Sequence, residues 1–393
     1  MFDTQENDHI KKSGFAKRPL IYFDNAASTP VATEVMKTVT DCMRSTYGNP
    51  SSVHEAGRRA RVVVEQARRS VAALLKASPS EIFFTSGGTE ANNAILWGCC
   101  RDLGFKQIVS SPLEHPAVVQ TIGALSRQMG VKQHIADIDS KGHVNLDHLA
   151  FLLENNKGTV VSLMHANNET GNLLPIREVS ELCRQHQALF HSDTVQTIGK
   201  FAVDLGRQLM DFAAGSAHKF YGPKGVGFMY VRGGLRLGSL IRGGKQERNL
   251  RGGTENVCGI AGMARALELA YERMEEDSRH ISHLRQACIG KLRELAPAVV
   301  FNGDVDGSSL QTILNLTLPS SLDAGMLMPR LDMEGLCVSA GSACASGSNQ
   351  GSHVLAAMGV DPGKPSLRLS FGRQNTLAEV EYLVEVLREL CSE

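Results

Sequence analysis

Between residues 82 and 231 the chain keeps returning to one unit: a short apolar run, a polar end and a stretch of helical periodicity. The runs are Ile82–Ser86, Gln107–Ser111, Thr159–His165, Ala188–His191 and Met210–Ala214, with Gly225–Val231 closing the series. They do not alternate with polar residues, as strands with one wet face would. Between them lie helical stretches, such as the one with Val179, Leu182, Cys183 and His186 on one face. Buried strands spaced by helices build a mostly parallel sheet covered on both sides, so the expected fold class is α/β. A proline-free helical stretch from about Ile260 to Glu294 then bridges to a second unit, which ends in the amphipathic helix Leu377–Leu390. The 393 residues suffice for both units.

In open α/β sheets ligands sit just beyond the carboxyl ends of the strands. Here those ends deliver Thr89, His115, Asn167, Asp193, Gln196, Ser216, His218 and Lys219 to one edge. A single strand-end histidine is more often structural; so many polar groups on one edge point to a site. Gly87-Gly88-Thr89-Glu90 joins a strand to a helix, a geometry that offers free N–H groups and a positive helix end to a phosphate. No lysine follows in the Walker register, and a plain turn feeding a helix would read much the same. Lys219 lies on the stiff turn Gly215–Gly227, beside His218 and ahead of Pro223. In apolar surroundings such a lysine loses its proton and can form a Schiff base with a carbonyl; a solvated turn lysine is the ordinary alternative.

Two further stretches stand out. Arg242–Thr254 is dense in glycine and arginine, which suits contact with an anion and equally suits a surface loop. Ser339–Ser352 holds 11 Ser, Gly or Ala among 14 residues around Cys344, a composition that favours mobility over packing and leaves the thiol free to act as a nucleophile. Downstream, Arg368 lies in the alternating strand Ser366–Phe371 and can grip a carboxylate with two N–H groups.

The 41 basic and 41 acidic residues balance and give no argument for a nucleic-acid partner. No apolar run reaches the length of a membrane span, and Met1–Arg18 lacks the apolar stretch of a signal peptide, so a cytoplasmic protein is expected. Nine scattered cysteines without Cys-x-x-Cys spacing make metal binding and thioredoxin-like chemistry unexpected.

Taken together, these residues resemble the cysteine desulfurases of the class-V, fold-type I pyridoxal-phosphate family, in its nitrogen-fixation and iron–sulfur-assembly branch. The resemblance runs from Tyr22 to Leu390. It rests on Asp24–Thr29, Gly48–Ser51, Thr85–Glu90, Glu114–Ala117, Asn167–Gly171, Asp193–Gln196 and Ala217–Gly225, with Ala217 where the family has glycine. It implies a large cofactor domain over residues 30–265, built on a mostly parallel seven-stranded sheet, and a smaller α+β domain over 266–393 that carries Cys344. Residues 1–29 would join the small domain.

The resemblance also implies roles. Lys219 would hold pyridoxal 5'-phosphate, Asp193 would face its pyridine nitrogen, His115 would stack on the ring and Gln196 would bond its phenolic oxygen. Gly88, Thr89, Ser216 and His218 would hold the phosphate, with Thr254 supplied by the partner in a homodimer. Arg368, Asn167 and Asn25 would bind L-cysteine, and Cys344 would take its sulfur as a persulfide for an acceptor such as an iron–sulfur scaffold. His115 would serve as acid–base partner. Lys245, Asn249, Ala345 and Asn349-Gln350-Gly351 depart from the family pattern. A selenocysteine lyase, a small-substrate aminotransferase and a catalytically silent sulfur-relay subunit are the competing readings.

Overall fold

A computed structural model of the chain describes residues 20–207, 209–295, 299–319, 321–340 and 351–392. In order, it forms β1 (Ile21–Tyr22), α1 (Thr33–Ser45), α2 (Glu55–Leu74), β2 (Ile82–Thr85), α3 (Gly88–Arg101), β3 (Gln107–Ser110), α4 (Pro116–Met129) and β4 (Lys132–Ile135). Then come α5 (Leu146–Asn155), β5 (Thr159–Ser162), α6 (Ile176–Gln185), β6 (Leu189–Asp193), β7 (Phe212–Ser216), β8 (Gly227–Val231), α7 (Val257–Glu272) and α8 (Met274–Arg293). The remainder is β9 (Val300–Asn302), β10 (Ile313–Thr317), α9 (Ala324–Met333), β11 (Leu336–Cys337), α10 (His353–Ala357), β12 (Ser366–Ser370) and α11 (Leu377–Ser392).

The central sheet has seven strands in the order β2-β8-β7-β6-β5-β3-β4. Only β8 runs against its neighbours; the other pairings, β3–β4, β3–β5, β5–β6 and β6–β7, are parallel. Along β3, β5, β7 and β8, successive residues enter different cores. Val109, Val161, Ala213 and Phe228 pack under α1, α2, α5, α6 and α7. Their chain neighbours Ile108, Val160, Phe212 and Met229 pack under α3 and α4 on the other face. This double burial is why the strands read as continuous apolar runs.

A third core joins α8, α9 and α11 to a three-stranded antiparallel sheet, β12-β10-β9. Phe23 belongs to that core, and β1 pairs in parallel with β11, so the first described residues lie against the last third of the chain.

Two local expectations are corrected, and two further details emerge. The bridging helical stretch is two helices, α7 and α8, separated at Arg273. α3 begins at Gly88, so Gly88 and Thr89 form its first turn and do not lie in a turn before it. α2 is capped by His54, whose side chain accepts the N–H of Gly57. β4 gave no apolar signal because Lys-Gln-His-Ile lies on the sheet edge and is mostly exposed.

Candidate active site

The sheet register brings distant segments to one row. Gly227 of β8 pairs with Thr85 of β2 on one side and with Ser216 of β7 on the other. The turn after β2 and the lysine turn after β7 therefore emerge side by side. Asp193 ends the next strand, paired with Ala214. A cleft of about 210 Å³ opens there, and its lining includes Gly88, Thr89, His115, Asp193, Gln196, Ser216, His218, Lys219 and Arg368. Asn92, Met164, Ala166 and Asn168, which sequence reading did not single out, also line it.

One end of the cleft is built for an anion. Gly87, at φ 156°, turns the chain into α3, and Gly88 sits so close to Val195 that an added Cβ would lie 2.5 Å from Cγ2. The first-turn N–H groups of α3 thus reach the cleft beside buried Ser216. Among the described residues, buried Nδ1 of His218 has no hydrogen-bond partner. Burial, together with Lys219, Lys224 and Lys200, brings the His218 imidazole down to about 4.

The other groups face this end from three sides. Asp193, on the floor, accepts the N–H of Val195 on Oδ1 at 3.0 Å and that of Asn92 on Oδ2 at 2.6 Å. His115 caps α4: its Nδ1 accepts the N–H of Ala117 at 3.1 Å, so a neutral ring carries its proton on Nε2. Burial lowers its pKa, Lys219 and His353 add to that, and Asp193 opposes them. Lys219 Nζ donates to the carbonyls of Ala26 and Ala27. Gln196 gives its amide hydrogen to Ala26 O at 3.0 Å and accepts from Lys200 at 3.1 Å. Burial brings the Lys200 ammonium down to about 7, helped by Lys219 and Arg368.

Arg368, 1% exposed, is positioned by β12. Its Nη1 donates to Asn168 O at 2.9 Å, its Nη2 pairs with Asp24 at 2.9 Å, and its Nε has no partner among the described residues. Asn167 and Asn25 do not line the cleft. Asn167 Oδ1 accepts the N–H groups of Glu169 and Thr170, and its Nδ2 reaches Leu113 O. Asn25 donates to Ser370 O and accepts from Gln374.

Thr254 is exposed and also outside the cleft. The loop before it is clamped: Glu247 binds Arg68 through two 2.8 Å hydrogen bonds and accepts the N–H of Phe84. Glu247, Arg248 and Asn249 all take left-handed φ, at 43°, 56° and 68°. Of the three, Asn249 tolerates that geometry best. Cys344 lies outside the described residues. No cluster of metal-ligating groups occurs among the described residues, and no helix there is long and apolar enough to cross a membrane.

Residues 21–383 match the family described as aminotransferase class-V. The chain belongs to that family, whose enzymes work with pyridoxal 5'-phosphate. Within it, the chain is 38% identical to the cysteine desulfurase IscS of Dictyoglomus turgidum, over 94% of this chain and 94% of that protein. A solved NifS-like protein superimposes with a TM-score of 0.87 at 38% identity, covering 95% of this chain and 99% of its own. A structure of SspA in complex with cysteine gives 0.78 at 30%, covering 90% and 99%.

The residues present fit the cofactor. An anion cradle at the start of α3, an unpartnered buried His218 nitrogen, an acceptor at Asp193 and an amine at Lys219 surround one cleft. They match a phosphate, a pyridine nitrogen and an aldehyde on one small molecule.

Proposed function

We infer that this protein is a cysteine desulfurase: it takes sulfur from L-cysteine, releases L-alanine and passes the sulfur on through Cys344. The observation that carries the reading is the convergence of Lys219, Asp193, His115 and Arg368 on one cleft in a chain whose relatives are named for this activity.

Bound in the cleft, pyridoxal phosphate supplies a carbonyl that condenses with amines and a ring that absorbs electrons released at Cα. The α3 N-terminus, Thr89, Ser216 and His218 bind its phosphate, and Asp193 accepts from its ring nitrogen. Arg368 orients the substrate through its carboxylate. Lys219 Nζ would hold the cofactor's carbonyl carbon and would take the Cα proton of the substrate. His115 Nε2 exchanges a proton with the substrate from the cleft wall. Cys344 thiolate attacks the substrate sulfur: an S–S bond forms, the Cβ–S bond breaks, and its electron pair goes to Cβ, which is then protonated.

The working unit is a homodimer in which Thr254 completes the partner's phosphate site. Supporting this are its exposed position beyond a clamped loop and the outward Met43, Tyr47, Val53 and Val62 on and between α1 and α2, 67%, 85%, 86% and 52% exposed. The sulfur goes to an acceptor protein such as an iron–sulfur scaffold, and the reaction takes place in the cytoplasm. Purified enzyme given L-cysteine and dithiothreitol should release alanine and sulfide in equal amounts. In Cys344→Ala sulfide should fall by orders of magnitude while the cofactor stays bound. Near-normal sulfide from that variant, or no alanine from the wild type, would refute the assignment.

A further inference from the structure

Behind Asp193 stands a row of buried side chains that the steps above do not use. Asn92, on α3, donates from Nδ2 to Asp193 Oδ2 at 2.6 Å. Its Oδ1 lies 3.1 Å from Nε2 of His191, and Nδ1 of His191 lies 2.9 Å from Ser162 Oγ. Ser162 and His191 are paired across β5 and β6, and both are fully buried; Asn92 is 1% exposed.

The chemistry of each group fixes the direction of every bond. With N–H donors on both its oxygens, Asp193 acts as an acceptor, so Asn92 must turn its NH₂ toward it and its carbonyl toward His191. A carbonyl only accepts, so His191 carries hydrogen on Nε2. Burial brings His191 down to about 4, so its ring is neutral and its bare Nδ1 accepts from the Ser162 hydroxyl. Three donors in series thus point at one carboxylate oxygen, and aligned bonds in a dry interior reinforce one another.

We propose that Ser162, His191 and Asn92 form a one-way hydrogen-bond relay that holds Asp193 in place as the acceptor for the cofactor's ring nitrogen, with Asn92 and His191 as positioning residues. The relay rests on the role given to Asp193 above.

The first test needs no cofactor. In ¹⁵N-histidine-labelled apoprotein, the signal lost in His191→Gln should report a neutral ring protonated on Nε2 from pH 6 to pH 8. An Nδ1-protonated or doubly protonated ring overturns the relay. The second uses His191→Leu, Asn92→Leu and the double variant. Each should raise the dissociation constant of pyridoxal phosphate about tenfold, shift the bound-cofactor absorbance, and lower kcat about a hundredfold with KM for L-cysteine within about twofold. The double variant should match the singles, because a relay breaks once, and His191→Gln should recover most of the loss. Additive losses, an effect on KM alone, or a folded variant with unchanged absorbance and kcat overturn the proposal. If the leucine variants do not fold, Ser162→Ala decides, with about a threefold loss in the same readouts. Asp193→Asn separates the two ideas: if it leaves cofactor affinity and absorbance unchanged, the role of Asp193 fails whatever tautomer His191 shows.

Discussion

On the floor of the cleft Asp193 has a donor on each oxygen, whereas Glu114 and Glu169, which do not line the cleft, each leave one oxygen without a partner among the described residues. Exposure does not separate them, at 6%, 1% and 0%. Both donors to Glu114, the Ser111 hydroxyl and the Met164 N–H, crowd onto Oε1 and leave Oε2 bare. Burial pushes Glu114 up to about 8, with Asp193 adding to it. Glu169 is raised too, by burial, although Ser352 donates to it. Burial raises both glutamates, and donors gathered on one oxygen do not offset it. The floor thus presents an acceptor to a ligand, while Glu114, next to His115 in the chain, keeps its proton at pH 7.

The widest gap should separate two lysines. Lys219→Ala should lose the bound-cofactor absorbance on dialysis and lower desulfuration by about ten-thousandfold or more. Lys224→Ala, on the exposed part of the turn, should keep both; the opposite pattern would move the cofactor off the floor. Next, Asp193→Asn should lower kcat about a hundredfold at nearly constant KM, as when a preorganised charge is lost from a dry site. An equal loss from Glu114→Gln would erase the contrast between Asp193 and Glu114.

Glu114→Gln replaces a protonated acid by a neutral amide of the same shape, so activity at pH 7 should stay within about threefold. Its stability profile carries the sign. In the folded protein Glu114 keeps its proton up to about 8, whereas the ordinary carboxyl of the unfolded chain loses it near 4.5. Between those values the folded state binds the extra proton, so wild-type stability falls as pH rises and levels off above about 8. The variant lacks that decline. Its urea midpoint, relative to wild type, should climb across the window; a constant difference would show that Glu114 is ionised.

The smallest effect belongs to Ser352, which donates to Glu169 and caps α10 by accepting the N–H of Leu355. Ser352→Ala should cost about 1 kcal/mol in thermal unfolding and leave cofactor binding intact.

Much of the fold was legible because burial on both faces leaves a plain mark in the chain: unbroken apolar strands with polar ends. The strand-end residues Thr89, His115, Asp193, Ser216 and Lys219 could be named for the same reason, since loops at those ends are where an α/β sheet holds its ligands. Asn92 could not. It sits inside a helix, 101 residues from Asp193 and 99 from His191, and no local pattern distinguishes it from a polar residue facing solvent. Asn167 lies at a strand end but outside the cleft, and its hydrogen bonds go to Glu169, Thr170 and Leu113.

Residue order alone therefore determined the class of sheet, the edge that bears the chemistry and the kinds of group delivered there, because each follows from periodicity and turn chemistry within about ten residues. Only the tertiary structure decided which groups meet, which of their atoms are already taken and which carboxyl keeps its proton. Those outcomes depend on donors brought together from separate strands and helices, and on the water their packing excludes.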